Sequence, residues 1–271
     1  TEKMDWISKI IAVIVGCIGY NIKPQCFIML IALFIIRFFS YLKDKKKLLQ
    51  IVILAGCFIL SLITIKASVN MICERSKIVL DSSQTFGMSH FLMMGNNEEG
   101  GGVYSEDDVT YSKSFATPQE RKKANIQRAF ERIKDMGAAG YSRFLAKKML
   151  TVYNDGTYAW GGEGNFFMTV FPQPNNRISA FLRNIYYTDG KYYDIFVTVK
   201  QIIWVFVMGA VAVSGLGKEN RQEVIVLMLS IVGLTLFEVL FEARARYLYT
   251  YAPVFCILAA SGIEKLSNKL S

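Results

Sequence analysis

Residues Leu48–Ile65 run without a single charged side chain. A helix of that length suffices to cross the hydrocarbon core of a bilayer, which takes ~17–25 predominantly apolar residues. Five more stretches approach the same requirement: Trp6–Ile22, Cys26–Leu42, Ile195–Leu216, Val224–Phe241 and Tyr247–Ile263. Lys9, Arg37 and Lys200 fall inside three of them, but a long basic side chain near a span end reaches the headgroups and vetoes nothing. The first stretch lacks a small-residue cleavage pattern and is followed at once by another apolar run, so it reads as a span and not as a signal peptide. With 52% hydrophobic and only 20% charged residues, the apolar mass exceeds what a soluble core of this size holds, and disorder is excluded.

The loops set the orientation. Lys43, Lys45, Lys46 and Lys47 cluster between the second and third stretches, which places that loop in the cytoplasm by the positive-inside rule. Counting spans alternately puts Lys3, Lys218, Arg221, Lys265 and Lys269 on the same side, against Lys23, Arg244 and Arg246 opposite. Both termini are therefore expected in the cytoplasm. The net charge of +9 is a topology signal of this kind, and no nucleic-acid partner is expected.

Between the third and fourth stretches lies a long polar segment with no spanning run. From Ala67 to Asp194 it holds 15 basic and 14 acidic residues, a near-neutral balance suited to the outer side. Thr117–Pro118 reads as an N-cap followed by proline at the first helical position. Apolar residues then recur at helical spacing, predicting helices over Pro118–Met136 and Ala138–Tyr153. The expected architecture is mainly α: a multi-pass helical membrane protein of about six spans. Residues 1–66 form three membrane helices, 67–194 one external and mostly helical domain, and 195–271 three more helices, in the cell membrane. The five cysteines lie mostly in apolar runs, and with one histidine, His90, neither a disulfide framework nor a Cys/His metal site is expected.

Several strings resemble a known family. Phe86–Asn96 (FGMSHFLMMGN), the GGGVYSEDD that follows shortly after, Asp155–Phe166 (DGTYAWGGEGNF), Glu242–Pro253 (EARARYLYTYAP) and the turn Ile22–Lys23–Pro24 are similar to bacterial multi-pass membrane glycosyltransferases of the GT-C fold class, such as protein mannosyltransferases and aminoarabinose transferases. Such enzymes carry further spans upstream and a catalytic acid in the first external loop. The chain opens at Thr1–Trp6, so the resemblance is to their C-terminal portion. It implies a hexosyltransferase-type reaction in which a sugar passes from a polyprenyl-phosphate-sugar donor to a cell-envelope glycan or lipid acceptor on the outer face, among membrane lipids. A transporter or flippase for an envelope lipid, and a non-catalytic fragment or assembly subunit, are the competing expectations.

Individual residues carry the chemistry in two ways each. Arg244 and Arg246 stand at the outer end of the fifth stretch with Tyr247 beside them. A guanidinium offers a planar fork to phosphate oxygens, so the pair, with Lys23 and Tyr247, suits a lipid-phosphate site. Alternatively Glu238 or Glu242 pairs with them structurally, Glu242 and Arg246 being four apart on a helix. The segment Gly95–Asp108 packs five acids and four glycines into fourteen residues. Clustered carboxylates there, Asp107 and Asp108 first, could supply a general base or hold a divalent cation, or form a solvated loop. Glu163 and His90 are further catalytic candidates, His90 reading more naturally as a packed histidine. Trp160, Tyr158 and Asn165 in a glycine-broken loop suit a sugar or acceptor, since aromatic faces stack on sugar rings, or the loop folds its aromatics against the membrane surface. The basic run Arg121–Lys123 reads as a solvated helix face.

Overall fold

The computed structural model of the protein describes residues 2–42, 44–79, 85–162, 176–216 and 222–270. Every regular element among them is helical: α1 (Glu2–Ile22), a 3-10 turn (Pro24–Cys26), α2 (Phe27–Tyr41), α3 (Lys45–Arg75), α4 (Met88–Gly95), α5 (Glu106–Lys113), α6 (Pro118–Tyr153), α7 (Arg177–Tyr186), α8 (Tyr193–Ser214), α9 (Gln222–Leu240), a second 3-10 stretch (Ala245–Tyr251) and α10 (Ala252–Leu270). Four of these stretches are long and apolar enough to cross a bilayer, namely Pro24–Tyr41, Lys47–Arg75, Tyr193–Ser214 and Gln222–Leu240, while Trp6–Ile22 is apolar but shorter. The protein is thus a mainly α, multi-spanning chain, and among the described residues four stretches meet the full span criterion where about six spans were expected.

Two expected spans differ in detail. The third does not stop at Ile65, because no glycine or proline occurs between Gly56 and Gly87 to interrupt it. It runs to Arg75 and ends where Lys77 adopts φ 55°, with Ile78 N–H donating to the Cys73 carbonyl at 2.8 Å, the six-to-one bond of a Schellman closure. The expected sixth span, Tyr247–Ile263, is not one α-helix. It begins as the 3-10 stretch and becomes helical only from Ala252.

The chain divides into two compact units, residues 1–85 with 219–234 and residues 86–218 with 235–271. In the first, α1, α2 and α3 pack on one another around Val13, Cys17, Leu30 and Ala32. The close approach of α1 and α2 requires Gly16, where an added Cβ would sit 2.2 Å from Leu30 Cδ1. Phe27 stacks on Phe58 at 4.9 Å between ring centroids, joining α2 to α3.

In the second unit α8 and α10 form the closest helix pair, their backbones meeting at Gly262, where a Cβ would collide with the Ala210 carbonyl. Trp204, Phe255 and Leu258 fill that core. The expected cap of α6 is present as a capping box: Thr117 Oγ1 accepts from Glu120 N–H at 3.2 Å and Glu120 Oε2 from Thr117 N–H at 3.2 Å. Gly137, at φ 63° and ψ 173°, breaks the helical backbone and so divides α6 into the two helices read from the sequence. Trp204 Nε1–H donates to the Tyr153 carbonyl at 2.7 Å, fastening the end of α6 to α8.

Candidate functional site

Of the residues singled out by sequence, Arg244, Arg246 and Tyr247 lie just beyond the C-terminal end of α9, within the second unit. A helix C-terminus leaves its last carbonyls without intrahelical partners and carries a partial negative charge. Here one ammonium meets them: Lys148 Nζ donates to the carbonyls of Val239 at 3.0 Å and Phe241 at 2.6 Å, and also to that of Gly95, the last residue of α4, at 2.6 Å. Two helix ends are thereby closed by a single buried cation. Burial pushes the Lys148 ammonium down to about 8, against the attraction of Glu238 and Glu242, which raise it.

The chain after α9 is not helical until Ala245, so the spacing argument joining Glu242 to Arg246 on a helix does not hold. Instead Glu242 faces Arg244, with Oε1 3.6 Å from Nε, and accepts from the Tyr247 hydroxyl at 3.0 Å. Glu238 accepts the Arg244 backbone N–H at 3.1 Å. Arg246 is exposed and lies over the Tyr247 ring at 5.5 Å from its centroid. This loop lies flush on the glycine-rich segment. Gly95 has no room for a Cβ, which would stand 2.2 Å from the Phe241 carbonyl carbon, and Ala243 N–H donates to the Gly102 carbonyl at 2.9 Å. Gly102 needs its hydrogen side chain twice, for φ 74° and for the Lys148 chain, which a Cβ would approach to 2.8 Å. Asn96, fully buried, donates to the Leu92 carbonyl at 2.8 Å and accepts from the Tyr141 hydroxyl at 3.1 Å.

Beside this junction a cavity of about 300 Å³ is lined by Arg143, Lys147, Lys148 and Thr151 of α6 and by Glu98 and Gly101 of the glycine turn. Arg143 and Lys147 are four apart on one helix face, an arrangement that repels unless an anion lies between. The cavity shares Lys148 with the loop bearing Arg244 and Arg246. Neither Lys147 nor Lys148 stood out in the sequence, although Lys148 is in phase with buried Phe144 and Val152, the position where a lysine is least expected.

The acidic cluster is largely structural. Asp108, 1% exposed, takes Arg132 at 2.6 and 3.1 Å and the Asn97 amide at 2.9 Å. Asp107 stands exposed in the first turn of α5, which Ser105 caps through the Asp108 N–H. His90 is buried, stacks on Phe86 at 4.0 Å between centroids, and meets Ser112 Oγ at 2.7 Å. Because Ser112 donates onward to Asn125 Oδ1 at 3.1 Å, the network assigns the His90 proton to Nδ1. Burial lowers the His90 pKa, Asp108 opposes that and Arg121 adds to it, so the ring is neutral and enclosed. Among the described residues no three His, Cys, Asp or Glu side chains are grouped to hold a metal ion.

The DGTYAWGG loop is held by Asp155, which accepts from Thr157 N–H at 2.8 Å and Ala159 N–H at 2.7 Å. Gly156 brings it against α8, where a Cβ would meet the Lys200 carbonyl at 2.5 Å. Tyr158 lies edge-on to Trp204 and Tyr249, 5.3 and 5.6 Å between centroids. The Trp160 indole N–H donates to the Tyr186 carbonyl. Glu163 and Asn165 lie outside the described residues, and Lys23 belongs to the first unit, at the start of the Pro24–Cys26 turn.

Helices of this length and apolarity define an integral membrane protein of the all-α class. Family comparison agrees: the model of a family described as conserved hypothetical integral membrane protein matches residues 1–266, and the chain belongs to that family. No curated protein and no solved structure matches it.

Proposed function

We propose that this protein is a membrane glycosyltransferase, or the C-terminal part of one, which moves a sugar from a polyprenyl-phosphate donor to a cell-envelope acceptor on the outer face. The observation that carries the reading is the concentration of cations at the end of α9: Arg244 and Arg246 on the loop, and Arg143, Lys147 and Lys148 around the adjoining cavity. As a glycosyl phosphate bond breaks, negative charge grows on the departing lipid phosphate, and fixed cations at that place lower the barrier. Tyr158 and Trp160 offer aromatic surface for the sugar or acceptor. Asp107, exposed like Glu98, Glu99 and Glu106 of the same cluster, is the candidate base for an acceptor hydroxyl, with Glu163 as the second candidate. Tyr247, held by Glu242, sets the rim of the loop.

Binding of a long-chain polyprenyl monophosphate to the purified full-length protein tests the reading. Arg244→Lys and Arg246→Lys, compared at matched folded fraction, should each weaken binding roughly ten- to a hundredfold, because a point charge does not reproduce the planar fork. Unchanged binding in both variants would remove the phosphate site and the reading that rests on it.

A further inference from the structure

The first unit holds a cavity of different character from the one beside α9. It has a volume of about 230 Å³ and lies among α1, α2 and α3. Each helix contributes a polar residue to it and, four positions along, an apolar one: Lys9 and Val13 on α1, Arg37 and Leu33 on α2, Gln50 and Leu54 on α3. Four residues are one helical turn, about 6 Å of rise. Since α1 and α3 run inward from Lys9 and Gln50 while α2 runs outward to Arg37, the three polar groups share one level and the three apolar groups the next. Lys9 Nζ donates to Gln50 Oε1 at 3.4 Å, joining α1 to α3 at the polar level, and Arg37 Nη1 donates to the Tyr41 hydroxyl at 3.4 Å one turn along α2. No described carboxylate lines this cavity. Glu223 borders a separate cavity that Arg37 also touches.

A cavity with two cations at its rim and hydrocarbon one turn below matches a ligand that is anionic at one end and apolar at the other. Cations inside a spanning segment are costly and mark functional sites, and basic pockets between membrane helices take lipid headgroups. We infer that this pocket binds the phosphate ester of an anionic lipid, the phosphate between Lys9 and Arg37 and the chain along Val13, Leu33 and Leu54. Arg37 supplies the planar fork and Lys9 the point charge. The site lies in a different unit from Arg244 and Arg246 and stands whether or not the protein transfers a sugar.

The test uses full-length protein in detergent and three probes: phosphatidylglycerol, a long-chain polyprenyl phosphate, and inorganic phosphate. Tight binding of either lipid, measured in an Arg246→Lys background so that the site beside α9 does not contribute, and lost about tenfold or more when Lys9→Gln or Arg37→Gln is added but not when Lys113→Gln at the exposed end of α5 is added, is the expected result; which lipid binds more tightly identifies its source. Ala12→Leu, at the cavity wall, should also weaken the lipid while leaving both charges in place. Every variant is compared as a monodisperse species at matched folded fraction. Lipid binding unchanged in Lys9→Gln and Arg37→Gln, or inorganic phosphate competing as well as the lipids, would overturn the assignment.

Discussion

The ammonium of Lys148 lies 2.6 Å from the carbonyl oxygen of Phe241, a residue 93 positions further along the chain. That contact and its companions to Val239 and Gly95 make α6 the cap of α9 and α4 together. Removing the ammonium leaves three carbonyls, one buried and two partly buried, without this donor and takes away a cation that Glu238 and Glu242 attract. Lys148→Met is therefore expected to cost about 3–5 kcal/mol, the range for breaking a buried charge interaction, read as a fall in melting temperature of the detergent-purified protein. The pH dependence has a definite sign. Unfolded, Lys148 keeps its proton to about 10.5, whereas in the fold it releases it near 8. Between those values the unfolded state binds more protons, so stability rises with pH across this window. Lys148→Met should abolish that rise.

Glycine substitutions separate close approach from mere flexibility. Gly95→Ala drives a Cβ into the Phe241 backbone and Gly156→Ala drives one into the Lys200 carbonyl, whereas a Cβ at Gly162 meets nothing within 4 Å. Backbone cannot turn aside as a side-chain tip does. The first two variants should lose roughly 1–3 kcal/mol or fail to fold, and Gly162→Ala should stay within about 0.5 kcal/mol of the parent. Parallel thermal melts of the three decide it. A silent Gly95→Ala would mean that the loop after α9 does not lie on α4.

How far the sequence carried differs from element to element. Thr117–Pro118 and Gly137 mark both helices of α6, because a cap and a break act within a few residues of themselves. The apolar runs likewise locate most spanning helices, since lipid selects on length and composition alone. What remained illegible depends on distant partners. Nothing within four positions of Lys148 reveals that its acceptors lie 53 to 93 residues away. Asp108 resembles a solvent-facing carboxylate until Arg132, 24 residues on, closes over it. The helical pairing of Glu242 with Arg246 failed for a local reason: the backbone leaves the α-helix after Leu240, so residues four apart no longer share a face.

The Asp108–Arg132 pair provides a direct measure of that hidden structure. Its Oδ1–Nη2 separation is 2.6 Å with Asp108 buried. Asp108→Ala and Arg132→Ala should each destabilise by about 3 kcal/mol or more, since each leaves a partner charge enclosed. The double variant should lose clearly less than the sum, as residues in contact couple. Strict additivity in a double-mutant cycle would show that the pair is not formed.

The buried ring of His90 makes a prediction at the other end of the pH scale. Burial holds its pKa below the ordinary 6.5. As pH falls through 6.5 the unfolded chain takes up a proton that the folded ring refuses, so stability declines on acidification. His90→Asn should flatten that decline while leaving the rise above pH 8 intact, because Lys148 governs the latter. Melting temperatures measured from pH 5 to 10 on both proteins check it; an acid slope unchanged in His90→Asn would assign it to other groups, carboxylates foremost.

The charge distribution predicts an orientation in the membrane. The lysines around residue 45 sit between two spanning helices, whereas the segment bearing α4 to α7 is nearly balanced in charge. Short basic loops are retained in the cytoplasm, and long neutral segments are translocated with little regard to charge. Single cysteines introduced at Lys47 and at Thr110, both exposed, into a chain whose five native cysteines are replaced by serine or alanine, report on this directly. With a membrane-impermeant thiol reagent on intact cells, Thr110→Cys should label and Lys47→Cys should label only after permeabilisation. The opposite pattern would invert the protein and move the cation-rich end of α9 to the cytoplasmic face, where an outer-face transfer reaction has no place. Labelling of both sites in intact cells would put Lys47 and Thr110 on the same side and overturn a single crossing by α3 between them.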